Sequence, residues 1–282
     1  MYADDTKILS PINCSGDVER LQNDMDNIID WTNNWLMKLN IDKCKVMHFG
    51  KHNPQHTYTM TDYSTNQPIH LETTEVERDL GIQLSSNLKV SNQCKLAANR
   101  ATFQMSQLKN NFISRDALLW KRLYIIYIRP HLEYAVGAWN PCLFQDIAIL
   151  EKVQERATKI SPALTRMNYK ARCNTLGIIT LNQRRVRCDM IQKYKFHHDL
   201  EKINWYREPV TREQRTNRQG ISRGLLVREI VRNCEERFHF FNNRVPNFWN
   251  LLPDSLINIT SIESFKAGLD RYLPTLKQWT GL

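Results

Sequence analysis

Two adjacent carboxylates, Asp4 and Asp5, preceded by Tyr2 and Ala3, are the residues of this sequence best suited to chemistry. Neighbouring carboxylates repel, and both stay ionised at low cost only beside a cation. Oxygen-only ligands suit Mg²⁺ or Mn²⁺. Two such ions can activate a hydroxyl and stabilise a departing pyrophosphate in phosphoryl transfer. For the tetrapeptide by itself, a solvated acidic turn is the competing interpretation.

Other groupings are possible sites. Cys44, His48, His52 and His56 recur every fourth residue, a spacing that would align metal ligands on one helix. The segment reads instead as a strand interrupted by Gly50 and Pro54, so that register does not hold. Cys173, Cys188, His197 and His198 match no familiar zinc spacing, and buried structural thiols are the default there. Arg184, Arg185 and Arg187 form a basic cluster on an expected helix. Arg207, Arg212, Arg215, Arg218, Arg223, Arg228 and Arg232 follow with no lysine among these basic positions. Guanidinium groups make bidentate phosphate contacts and stack on bases; a solvated surface is the alternative. Phe238, Phe240, Phe241, Phe248 and Trp249 offer either a stacking surface or core, and the interleaved Leu251, Leu252 and Ile257 favour core.

The elements that must hold these residues follow from periodicity. Residues 6–9 are expected to return as a strand from the acidic turn. Residues 17–39 carry Val18, Leu21, Met25, Ile28, Ile29, Trp35 and Leu36 near a 3.6 period, which predicts a helix. Residues 44–49 read as a strand, and 69–76 with 79–84 as a hairpin. From about residue 91 the pattern becomes helical, over 92–112, then from a cap at Ser114 to a stop before Arg129-Pro130, then 131–139 and 147–160. Residues 182–200 predict another helix, 207–223 a loop, and Ser261 caps a last helix through Phe265, Leu269 and Tyr272.

Composition narrows the partners. The 282 residues are 41% hydrophobic and 24% charged, neither the profile of a disordered chain nor that of a low-complexity one. No apolar run approaches the roughly 20 residues of a membrane span. Seven cysteines with no C-x-x-C, behind a start that is no signal peptide, predict reduced thiols and an intracellular protein, nuclear or cytoplasmic rather than secreted. Residues 1–88 hold 7 basic and 13 acidic side chains, whereas 89–282 hold 32 and 16, a net charge of +16. Such an excess attracts polyanions by counterion release, with nucleic acid the first candidate and an acidic membrane surface the second.

The ordered series is more specific than any one motif. Tyr2-Ala3-Asp4-Asp5 precedes the amphipathic helix and Leu39-Asn40-Ile41-Asp42-Lys43-Cys44-Lys45-Val46. Asp79-Leu80-Gly81-Ile82 follows, then Arg129-Pro130-His131-Leu132-Glu133-Tyr134, then Phe248-Trp249-Asn250-Leu251-Leu252-Pro253 and Ser264-Phe265-Lys266. In this order the series resembles the reverse transcriptase of non-LTR (LINE-type) retrotransposons, especially the jockey-like groups, over nearly the whole chain and most closely over 1–140. The resemblance implies an α+β fold. Residues 1–88 would be the C-terminal part of a polymerase palm, with short antiparallel strands and one helix. Residues 89–160 would be a helical thumb, and 161–282 a basic, mostly helical C-terminal region. It further implies that Asp4 and Asp5 bind Mg²⁺ or Mn²⁺ and that Tyr2 and Ala3 lie near the primer end and incoming nucleotide. Lys43, or alternatively Lys45, would act near the pyrophosphate. Leu80 and Gly81 would belong to the primer grip, where Gly81 permits close backbone approach or marks a bulge. RNA and DNA, as a primer–template duplex, are the implied partners, and no membrane.

The family's fingers and its first palm strand, with a further metal-binding aspartate, have no counterpart in these residues, nor has its endonuclease. The chain is therefore expected to be a fragment of an RNA-directed DNA polymerase that binds nucleic acid without polymerising alone. The alternative is a non-enzymatic binding module made from the thumb and C-terminal region.

Overall fold

A computed structural model describes every residue except 1–5, 38, 51, 63, 64, 66, 206, 213–223 and 277–282. The fold is mixed, mostly helical with small two-stranded sheets, and so α+β in the broad sense. It divides into two compact units, Met1–Lys89 and Val90–Leu282. The stretches 89–160 and 161–282, set apart by pattern in the sequence, share the second unit.

In the first unit, helix α1 (Ser15–Asn34) is followed by β1 (Lys45–Val46), β2 (Thr59–Asp62), β3 (Gln67–His70), β4 (Glu72–Thr73), β5 (Val76–Asp79) and β6 (Ile82–Ser85). Asp17 accepts from the backbone N–H groups of Asn13 and Cys14, and these bonds hold its carboxyl below the usual range. The helix is shorter than its periodicity predicts. Leu36 takes φ +55°, and the Met37 and Leu36 N–H groups bond back to Thr32 O and Asn33 O. This left-handed C-terminal cap, normally glycine's place, turns the chain before Trp35 and Leu36 can complete the expected stripe. Ile29, Tyr58, Met60 and Leu71 form a small core beneath α1. Gln22 clamps the helix to β2 through both of its amide atoms, donating to Thr59 O and accepting from Thr59 N–H.

The strands also depart from the pattern. The expected strand over 44–49 shrinks to β1, which pairs in parallel with β4. Residues 6–9 lie in no ladder among the described residues. The expected hairpin of 69–76 with 79–84 is not formed as such: β3 pairs antiparallel with β2, upstream of it, and β5 pairs antiparallel with β6. The reason is the two-residue loop Leu80-Gly81, with φ +44° and +86°. Positive φ at both positions is what a tight hairpin loop matching the strand twist requires. Gly81 thus serves the turn. Leu80 is half-exposed and adopts a conformation that costs an L-residue about 1–2 kcal/mol. Leu80→Asn should therefore stabilise the first unit by about 1 kcal/mol, read from urea denaturation; a destabilised variant would mean that the leucine side chain contributes more than its backbone strain costs.

The second unit contains α2 (Ser91–Asn111), α3 (Ala117–Leu123), a π-helical turn (Tyr124–Ile128), α4 (Arg129–Glu133), α5 (Val136–Trp139), α6 (Phe144–Thr158), α7 (Tyr169–Leu176) and α8 (Leu181–His197). Beyond them lie β7 (Thr211–Arg212), β8 (Leu225–Leu226), α9 (Glu235–Phe238), α10 (Phe241–Arg244), α11 (Pro246–Trp249), α12 (Asp254–Ile257) and α13 (Ile262–Tyr272). Asp116, not Ser114, caps α3, accepting from Leu119 N–H at 2.8 Å. The helix does not stop before Arg129-Pro130. The widened π turn carries the chain into α4, where Pro130 falls in the first turn and needs no N–H partner. Ala97, Ala98, Ala101, Met105 and Leu108 give α2 a small-residue face against α6, α4 and the π turn. A second core gathers Met190 and Tyr194 of α8 with Phe241, Trp249, Leu252, Ile257, Phe265 and Leu269. Ser261 caps α13 as the sequence suggests.

Candidate nucleic-acid interface

Tyr2, Ala3, Asp4 and Asp5 lie outside the described residues, as do Arg215 and Arg218. Two adjacent carboxylates supply the oxygen ligands that Mg²⁺ or Mn²⁺ prefer. Among the described residues, no group of three or more His, Cys, Asp or Glu could hold a metal ion.

The first unit places the other expected site residues on its surface. Lys43 closes the 3₁₀ turn Ile41–Lys43 and is exposed. Lys45, on β1, is engaged by Glu72 on the paired strand, and that hydrogen bond raises its pKa. Lys43 is thus the more available of the two. Lys7 binds the Asp79 carboxylate at the end of β5, which fixes the first described residues beside the Leu80-Gly81 loop. In sequence Lys7 stands two residues beyond Asp5.

The arginine cluster on α8 faces inward or sideways. Arg184 forms a two-pronged pair with Glu133 of α4, its Nη2 lying 2.8 Å from Oε2. Burial disfavours the Arg184 charge, but the Glu133 carboxylate outweighs it and holds the pKa above the usual value. Arg185 is 3% exposed and bonds Asn182, and burial pushes its pKa down. Arg187 pairs with Asp270 of α13. Arg184 and Arg187 tie α8 to its neighbours, whereas Arg185 bonds within the helix, and the spacing in sequence carried no sign of the distant acids. Arg212, on β7, is exposed.

Helix α2 carries a further surface that residue composition marks. Between Asp79 and Asp116 no acidic residue occurs, while Lys89, Lys95, Arg100, Lys109 and Arg115 do. In the structure α2 displays Lys95, Asn99, Phe103 and Asn110 along one exposed stripe, with Lys109 beside it. Phe103 is 64% exposed. The helix thus presents amide and ammonium donors and one aromatic ring, with no carboxylate of its own to repel a phosphate. The missing signal was composition within a window rather than a motif.

The buried polar groups between α3 and α8 are structural. Gln154 is fully buried, accepts from Tyr124 Oη, and donates to Tyr169 Oη and Ile179 O. Burial, then the Glu151 carboxylate, push the Tyr169 phenol far above its ordinary range. The Cys94 thiol is raised to about 12, chiefly by burial, so it stays protonated and inert.

Compared with protein-family models, with curated proteins and with solved structures, the chain gives no match. Among the described residues no helix is long and apolar enough to cross a membrane.

Proposed function

We propose that these residues belong to an RNA-directed DNA polymerase of the non-LTR retrotransposon kind, as the later palm, the thumb and the region beyond, and that they bind primer–template nucleic acid. The observation that carries this is the ordered series from Tyr2-Ala3-Asp4-Asp5 through Asp79-Leu80-Gly81-Ile82 to Ser264-Phe265-Lys266. The exposed Leu80-Gly81 loop and the acid-free stripe of α2 support it. On this proposal Asp4 and Asp5 hold Mg²⁺ or Mn²⁺, which supplies charge stabilisation for phosphoryl transfer. Lys43 is the proton or charge donor near the leaving group, and the second unit grips the duplex backbone. On this proposal the residues bind nucleic acid without extending a primer, since the ordered series holds no counterpart of the family's first palm aspartate.

Fluorescence anisotropy with a labelled RNA–DNA duplex over a range of salt tests the binding. Lys95→Glu with Lys109→Glu should weaken it about tenfold or more and flatten the salt slope by about two. Unchanged affinity and slope would remove α2 from the interface. Primer extension with Mg²⁺ or Mn²⁺ should give no product beyond that of Asp4→Asn; extension lost in that variant would show that the two aspartates find a third ligand.

A further inference from the structure

We propose that Phe238 and Phe240, each stacked with an arginine on the surface of the second unit, form a platform for single-stranded nucleic acid, distinct from the duplex-facing stripe of α2. It presupposes the nucleic-acid role proposed above. The aromatic-rich segment that the sequence assigns to core divides in the structure. Phe241 and Trp249 are buried, whereas Phe238 is 41% and Phe240 43% exposed. Arg228 lies over the Phe238 ring, its guanidinium carbon 4.2 Å from the centroid. The next residue, Glu229, holds Arg237 in a two-pronged pair, at 2.6 and 2.7 Å, and Arg237 lies 5.2 Å over the Phe240 ring. One Arg–Phe stack thus contains Arg228, and the next residue, Glu229, holds the arginine of the other.

The chemistry favours unpaired bases over other occupants. Rings and guanidinium planes both stack on bases, and they do so without regard to sequence. A duplex hides its base faces, so this surface has little to offer it beyond charge. Glu229 spends its charge on Arg237, with Arg207 3.9 Å away as a second cation. Among the described residues Arg228 bonds the Asn247 side-chain oxygen, at 3.3 Å, and no carboxylate pairs with it. Over residues 228–240 three arginines are matched by three glutamates, so the pull on a phosphate comes from Arg228, whose guanidinium lies over an exposed ring. An uncharged apolar protein surface would not complement the Arg228 charge.

The test is anisotropy of the full chain with fluorescein-labelled oligo(U) and with a blunt RNA–DNA duplex, each titrated over salt. Phe238→Ala with Phe240→Ala should weaken oligo(U) binding about tenfold or more, while duplex affinity changes less than about twofold. Its salt slope should not move, because stacking releases no counterions. Arg228→Ala should weaken oligo(U) binding and lower the slope by about one. The variants alter exposed phenylalanines and a half-buried arginine, and an unchanged melting curve confirms the fold. If the wild-type chain binds both probes and the double phenylalanine variant keeps full affinity for oligo(U), the platform is overturned and the wider reading stands. If the wild-type chain binds neither probe, the nucleic-acid reading itself fails. If the double variant loses self-association and not oligo(U) binding, the surface is a protein contact and the platform is overturned.

Discussion

Asp189→Ala is expected to destabilise the second unit by about 3–5 kcal/mol, the usual result of removing one partner from a buried ion pair. Asp189 on α8 binds Arg244 on α10 through both oxygens, at 2.7 and 2.8 Å, and also accepts from Asn140 Nδ2. Arg244 in turn donates to Gly137 O at 2.7 Å and to His239 O. One carboxylate thus joins α8, α10 and the chain around α5. The side chains are 6% and 15% exposed, so neither charge can recover full hydration after its partner is lost. The loss is measured as a melting-temperature fall of roughly 6–20 °C for a unit of this size. Asp189→Ala with Arg244→Met should recover much of it, because no unpaired charge remains. A single variant within 1 °C of the wild type would show that the pair is not what fastens these elements.

Phe265→Ala is the second large effect, also expected to cost about 3–5 kcal/mol. The Phe265 side chain is fully buried at the centre of the second core and stacks on Tyr194 with ring centroids 4.1 Å apart. Trp249 approaches the same ring from another side, at 6.4 Å. Tyr194 is itself fixed by a hydrogen bond from its hydroxyl to Ile259 O. With two aromatic neighbours anchored in this way, the site cannot collapse to fill the space, so both the lost transfer energy and the cavity count. Chemical denaturation should show a lower midpoint with an unchanged slope. A cost below about 1 kcal/mol would mean that the segment around α13 repacks freely.

Much of the helical layout was legible in the sequence, for identifiable reasons. The α2 and α6 helices have strong periodic faces, and Ser261 stands where α13 needs a cap. Boundaries failed where backbone conformation overrode side-chain pattern. The α1 stripe predicts five more residues, but Leu36 adopts a left-handed cap that leucine does not advertise. Arg129-Pro130 signals a stop, but the π turn before it removes the clash that a proline makes in a regular helix. Leu80-Gly81 was visible as a motif, yet its use as a two-residue loop depended on which strands paired.

The candidate site divides in the same way. Sequence by itself determined the charge asymmetry, the acid-free stretch from Leu80 to Arg115 and the ordered motifs from Asp4 to Lys266, because these are properties of residue type and order. It could not tell an arginine that meets a phosphate from one that meets a carboxylate. Arg184 and Arg187 find Glu133 and Asp270, 51 and 83 residues away, while Arg228 finds a ring and no acid among the described residues. Likewise Phe240 and Phe241 are neighbours in sequence, one half-exposed beneath an arginine and the other inside the core. Only the tertiary structure decided these cases, since a side chain's electrostatic partner and its burial depend on elements distant in the chain.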